Sequence, residues 1–338
     1  MEVVPHTMND YDFKPRGRYI EFQSTIPKYL KKYGLENIRN SSTRELRGYG
    51  IQDIDPIDSL DGQKPLRLLD NIIRICKNNS LLRKLFQRIA FLYTGMSLEK
   101  KLSNMYLFSK YFGMACNAKP IEQLSDFLIG NPKNVYKVGN KNYTFSLLRY
   151  YNLYAETCKI IDYSRISTIL EIGSGFGMQA EIFKELYPNI TIFLADLPAQ
   201  LLLQKQYLST IFPNKVDWFN NTNDFSGKIV LLKPENIMNV EFDLLWNSLS
   251  FQVMDINVAK KYLKIINKQT KKFICLHNKM EFINTPRVAK KDYLELLSNF
   301  DVINYNLSDG QAFTKDKKVD NVILKRKPQH SDIKVNNN

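Results

Sequence analysis

The sequence predicts an α/β fold: a mostly parallel sheet of seven strands, wound with helices on both faces and preceded by a mainly helical region. Three observations predict it. From residue 167 onward, short apolar runs alternate with amphipathic stretches, the pattern of strands joined by crossover helices. The last two apolar runs, over 302–307 and 321–324, are joined by a polar turn around Asp309-Gly310 rather than by a helix, which makes the final strand antiparallel. Ahead of the alternation, Leu69, Ile72, Ile73 and Cys76 recur at helical spacing, as do Leu82, Leu85, Ile89 and Leu92.

In chain order, residues 65–117 read mostly as helix and 121–129 as a further short helix, ended by Gly130-Asn131-Pro132. Val135 to Val138 with Gly139-Asn140 reads as a small hairpin. Thr144 is placed to cap a helix running to about residue 161. Strands are expected over 168–172, 190–195, 228–232, 242–246 and 273–276, with helices over 177–186, 199–211, 256–266 and 289–297. Asp255 is a cap for the third of these helices. This divides the chain into a helical substrate or lid region (1–143), a sheet domain (144–327) and a disordered tail (328–338).

Composition narrows the partners. The 338 residues are 44% hydrophobic, with 20 Phe and 19 Tyr, which excludes a disordered chain. Lys and Arg number 48 against 34 acids, a net charge of +14. The basic residues are dispersed, and the pairs Lys260-Lys261, Lys271-Lys272 and Lys290-Lys291 fall at expected element ends. They read as a solvated surface that can attract an anionic substrate, and no nucleic-acid partner is expected. Cys76, Cys116, Cys158 and Cys275 form no CxxC pair, so zinc and redox motifs are missing. The opening MEVVPHTMND has neither the basic nor the apolar part of a secretion signal, and no apolar run approaches the ~20 residues of a membrane span. A cytoplasmic protein is expected, and the sequence allows a homodimer.

The strongest local signal is Ile169-Leu170-Glu171-Ile172-Gly173-Ser174-Gly175-Phe176-Gly177. An apolar strand enters a glycine-rich turn and a helix follows. Glycines permit positive φ and close approach of a ligand, and the helix start offers free N–H groups. A dinucleotide wants G-x-G-x-x-G. Here the spacing is G-x-G-x-G, Met178 holds the third dinucleotide position, and an acid, Glu171, precedes the first glycine by two residues. S-adenosylmethionine has no phosphate but carries a carboxylate, an ammonium and a sulfonium. Loop amides suit the first and Glu171 the two cations. The next strand ends in Asp196, placed to accept from both ribose hydroxyls, and Leu197 follows it. After the third strand, Glu235 or Asn236 can meet the adenine amino group, although a solvated loop explains that stretch equally well.

LEIGSGFG followed by FLADLP resembles class I S-adenosylmethionine-dependent methyltransferases. Within them, Asp196-Leu197-Pro198 and DLLWNSLSFQVM (243–254) resemble the bacterial sugar O-methyltransferases. The resemblance covers about residues 168–278. It implies a Rossmann-like seven-stranded fold, S-adenosyl-L-methionine as cofactor with S-adenosyl-L-homocysteine as product, and a sugar, nucleotide-sugar or glycan acceptor from polysaccharide biosynthesis.

Substrate groups are expected after the fourth and fifth strands. The fourth ends Asn247-Ser248-Leu249-Ser250-Phe251-Gln252, without the Asn-Pro-Pro-aromatic signature of adenine methylation. Asn247 and Ser248 are candidates for the methionine end of the cofactor, Asn247 also for a catalytic contact, and Ser250 and Gln252 for substrate. Capping of the following helix is the competing role for these polar residues, Ser248 in particular. The fifth strand ends His277-Asn278. His277 is a candidate general base, because its ordinary pKa lies near working pH, and Asn278 a substrate contact. A structural histidine is the competing role. Tyr150 and Tyr151 are candidates for stacking on the acceptor, although helix packing accounts for them as well. No metal site is expected. Two alternatives stay open: an RNA or protein methyltransferase, which the charge of +14 would suit, and a non-catalytic module that binds S-adenosylmethionine.

Overall fold

The computed structural model describes residues 18–40, 98–220, 224–280, 290–309 and 319–328. The helical spacings over 65–97, the turn at Gly310 and the tail beyond residue 328 lie outside them.

Two helices open the described chain, α1 (Arg18–Tyr33) and α2 (Leu98–Ala115). The hairpin is β1 (Val135–Val138) against β2 (Lys141–Thr144), antiparallel around Gly139-Asn140. Thr144 then caps α3 (Phe145–Thr157), its hydroxyl accepting from Leu147 N–H at 3.3 Å. The helix stops short of the expected residue 161. The expected helix over 121–129 is also absent: only Ile121–Gln123 make a 3-10 turn. The reason lies in Asp126. Its carboxylate accepts from Leu128 N–H at 2.8 Å and Leu128 takes φ 57°, so a side chain captures the backbone donor a helix would need.

The sheet strands follow: β3 (Thr168–Ile172), β4 (Thr191–Ala195), β5 (Val216–Trp218), β6 (Ile229–Leu232), β7 (Phe242–Ser248), β8 (Thr270–Asn278), β9 (Phe300–Leu307) and β10 (Asp320–Arg326). Between them run α4 (Met178–Leu186), α5 (Pro198–Ile211), α6 (Ile256–Gln269) and α7 (Lys290–Leu296). The spatial order is β5-β6-β4-β3-β7-β8-β10-β9. From β5 to β8 all pairings are parallel, and β10 is antiparallel to both its neighbours. The seven expected strands are therefore present, with β10 reversed. An eighth, the three-residue β5, is added at the edge beside β6.

Alternate strand residues feed two apolar layers. Ile169, Ile192, Leu194, Leu231, Trp246 and Cys275 pack with α3, α4 and α5 and with apolar residues of α1 and α2. Leu170, Ile172, Phe193, Leu245, Ile274 and Leu276 pack with α6 and Tyr293. The described part of residues 1–143 thus shares its core with the sheet. Among the described residues no helix is long and apolar enough to cross a membrane.

The chain builds outward from β3 through β4 to β6, then returns across the sheet to β7. The connections leaving the carboxyl ends of β3 and β7 therefore run to opposite sides of the sheet, and this is where open α/β sheets bind ligands.

Candidate cofactor and active site

Gly173 leaves β3 with φ 73°, and its N–H donates to Ala195 O at 2.9 Å, which ties the loop to the end of β4. A Cβ at this position would lie 2.3 Å from Ser250 Oγ, so only glycine lets the end of β7 nest against the loop. Gly175 N–H donates to Asp196 Oδ2 at 3.2 Å. Gly177, at φ 104°, opens α4, and a Cβ there would stand 3.0 Å from Leu208 on α5. The sequence could not show that Gln204, inside α5, draws these parts together. Its Nε2 lies 2.9 Å from Ser174 Oγ, 2.9 Å from Gly175 O and 3.3 Å from Asp196 Oδ2.

Two acids converge on this loop. Glu171 is buried, and its Oε2 has no hydrogen-bond partner among the described residues. Burial pushes its carboxyl up to about 8, with the charge of Asp196 adding to the effect. Asp196 also accepts from Leu197 N–H at 2.8 Å. Burial raises its carboxyl to about 7 against the lowering effect of its hydrogen bonds. The pair is a strongly desolvated acidic site held open by a glycine turn. After β6, Glu235 and Asn236 lie in the 3-10 turn Pro234–Asn239, and Glu235 Oε2 is likewise buried and unpartnered among the described residues. Tyr262 feels the charges of both Asp196 and Glu235, which raise its hydroxyl behind the larger effect of burial.

The residues proposed after the fourth strand behave differently. Asn247 is fully buried. Its Nδ2 donates to Ile172 O at 2.8 Å and to Ser250 Oγ at 3.0 Å, and its Oδ1 accepts from Asn278 Nδ2 at 2.8 Å and Phe251 N–H at 3.4 Å. A carboxamide has two donor hydrogens and two lone pairs on oxygen, so every one is spent on the protein. Asn278 also takes Gln252 N–H at 3.4 Å, and Gln252 Oε1 takes Lys279 N–H at 2.9 Å. Asn247, Ser250, Gln252 and Asn278 thus form a lock that holds the ends of β3, β7 and β8 together. Asn247, expected at the cofactor and the reacting centre, and Ser250, Gln252 and Asn278, expected at the substrate, are thereby bonded to one another at these strand ends. The turn between β7 and Ser250 needs Leu249 at φ 62°, with its N–H on His277 O at 2.8 Å, a strained conformation for a branched side chain.

Tyr151 takes part in the helix packing. It is fully buried between α3 and α2, its hydroxyl donating to Lys119 O at 2.9 Å, and Gly113 gives it room. Tyr150 is half-buried beside the Arg149 guanidinium.

His277 lies on the face of the sheet that α3 covers, its ring centroid 4.8 Å from that of Trp246. It is fully buried, neither nitrogen has a partner among the described residues, and desolvation pulls its pKa down to about 3. It stands in register with Ser248 on β7 and with Asn321 on β10. Ser248 Oγ and Asn321 Oδ1 are buried and unpartnered too. Asn321 escaped the sequence reading because nothing local marks a polar residue in an otherwise apolar final strand.

Neither a known protein family nor a curated protein sequence matches the chain. Solved structures resemble it in fold. Magnesium protoporphyrin IX methyltransferase (ChlM) from Synechocystis PCC 6803, with bound SAM, aligns with a TM-score of 0.40 and 6% identity over 69% of this chain and 99% of that one. The mitomycin 7-O-methyltransferase MmcR aligns with a TM-score of 0.40 and 10% identity over 80% of this chain and 75% of that one. Likenesses of this depth concern the path of the chain and carry nothing about its chemistry.

Proposed function

We propose that this chain is an S-adenosylmethionine-dependent methyltransferase acting on a hydroxyl, with a sugar or glycan precursor as acceptor. One observation carries the first part. Two carboxyls, the buried Glu171 and the half-buried Asp196, meet at a glycine turn where open α/β sheets bind ligands, and Glu171 Oε2 is unpartnered among the described residues. Such a site repels a pyrophosphate and favours a ligand with positive charge and ribose hydroxyls. S-adenosylmethionine has both. Glu171 would face its ammonium and sulfonium, the N–H groups at the start of α4 its carboxylate, Asp196 its ribose, and Glu235 or Asn236 its adenine amino group. When bound, the cofactor supplies an electrophilic methyl group.

The protein's part is to bind and orient the acceptor oxygen and to receive its proton. Ser248, His277 and Asn321 stand side by side on adjacent strands with unpartnered polar atoms, and this row is the proposed acceptor face. His277 enters it as a neutral imidazole, so it takes a hydrogen bond from the acceptor hydroxyl. Holding the proton requires its pKa to rise, which the ligand-filled site can bring about by adding polar groups around the ring.

The sugar acceptor rests on the DLP triplet and the 243–254 segment named above. Calorimetric titration with S-adenosylhomocysteine, with NAD as control, tests the cofactor. Binding of the former alone supports the proposal, and binding of NAD alone overturns it. Radiolabelled methyl transfer to nucleotide sugars, compared with RNA and protein acceptors, then tests the acceptor class.

A further inference from the structure

Residues 18–40 contact the candidate site at two places, the start of α5 and the glycine loop. Helix α5 starts at Pro198, and the side chain at its cap position, Leu197, makes no capping bond. The cap comes from elsewhere in the chain. Gln23 Oε1 on α1 accepts from Ala199 N–H at 3.0 Å, and its Nε2 donates to Gln200 Oε1 at 2.9 Å. Ala199 lies three residues beyond Asp196, so Gln23 fixes the turn that aims the carboxylate proposed to hold the ribose. A helix start left without a cap frays.

The second grip comes from the other end of the same segment. Arg39 and Asp126 form a fully buried bidentate pair at 2.8 and 2.6 Å. Thr144 donates to the same carboxylate at 2.6 Å. The guanidinium carbon of Arg39 sits 5.2 Å from the ring centroid of Phe176, the loop residue between Gly175 and Gly177. Phe176 also meets Tyr207 of α5 edge-on at 5.0 Å, and the Tyr207 hydroxyl donates to Glu181 on α4. Buried ion pairs stabilise little beyond what apolar packing achieves, whereas a forked, planar cation fixes direction.

We propose that residues 18–40 are a positioning brace for the cofactor pocket. Gln23 sets the Asp196 turn and Arg39 sets the Gly175–Gly177 loop, so the site stands ready for a cationic adenosine ligand before that ligand arrives. The ligand's identity rests on the reading above; the brace itself does not.

The test combines residue-resolved amide exchange on the ligand-free protein with calorimetric titration using S-adenosylhomocysteine. The variants are Gln23→Leu, Gln23→Glu and Arg39→Lys. Gln23→Leu should speed exchange at Ala199 about five- to tenfold, the loss of one hydrogen bond, and weaken binding by a similar factor. Gln23→Glu should restore both, because a carboxylate still accepts from Ala199 N–H. Arg39→Lys keeps the charge but loses the fork and flat face, so exchange at residues 175–177 should rise. Where Arg39→Lys fails to fold, the two Gln23 variants decide. Unchanged exchange at 199 and 175–177 overturns the brace. Faster exchange with unchanged affinity overturns its positioning role. A wild-type protein that ignores S-adenosylhomocysteine overturns the cofactor reading alone, and the exchange data still judge the brace.

Discussion

Glu171 should make cofactor binding release a proton. In the ligand-free protein burial holds its carboxyl near 8, so at pH 7 about nine molecules in ten carry the proton. A ligand cation binds the ionised form. Binding at pH 7 therefore costs about 1.4 kcal/mol, a factor of about ten, to remove that proton. The sign follows directly: affinity climbs as pH rises towards 8 and levels off above it. Between pH 6 and pH 8 the ionised fraction grows from about one in a hundred to one half, so affinity should rise roughly fifty-fold. Asp196, raised to about 7, steepens the lower part of that range. The assay is calorimetry in two buffers of different ionisation enthalpy, which counts the protons released, repeated with Glu171→Gln. The variant should bind with a much flatter pH profile. A wild-type profile flat from pH 6 to 8, with no proton released, would refute the idea that a buried, protonated Glu171 faces the cation.

Other substitutions separate scaffold from chemistry. Gly173→Ala faces both a positive φ and a contact of 2.3 Å with Ser250 Oγ; it should lower unfolding free energy by about 1–3 kcal/mol in a denaturant titration. Gly175→Arg should abolish S-adenosylhomocysteine binding, and unchanged affinity in calorimetry would remove the loop from the site. His277→Ala should cut turnover by about tenfold or more while leaving S-adenosylhomocysteine affinity nearly intact; wild-type turnover would take His277 out of the mechanism. Asp126→Ala leaves Arg39 buried without its counterion and should cost about 3–5 kcal/mol of stability, read as a lower midpoint of thermal unfolding.

The strand-and-helix alternation was legible because parallel strands buried on both faces read as continuous apolar runs, and Ile229–Leu232 is one of these. The glycine loop and both acids were legible for a related reason: backbone conformation and charge at strand ends leave marks that local sequence can show. What stayed hidden depends on distance along the chain. Val216-Asp217-Trp218 is too short to show a period, and it is a strand only because β6 pairs with it. Asn247 looked like a ligand contact because a polar residue at a strand end is ambiguous. Its four bonds go to Ile172, Ser250, Phe251 and Asn278, a closure visible only once the ends of three strands are in place. Gln23 and Ala199 are 176 residues apart, and neither position carries a local signature. Tyr151 resembled a stacking platform by its type and was claimed by the core through Lys119 and Gly113.

The nesting of Ser250 against Gly173 bears on how freely this site can change. The two positions share one volume, so whatever stands at 250 is limited by the bare backbone opposite. In a saturation library, position 250 should accept glycine, alanine and serine and reject every longer side chain, while position 173 accepts almost nothing. Divergent relatives should therefore vary these two sites jointly. New acceptor preferences should arise instead along the row of Ser248, His277 and Asn321, where a side chain can change without displacing the glycine turn.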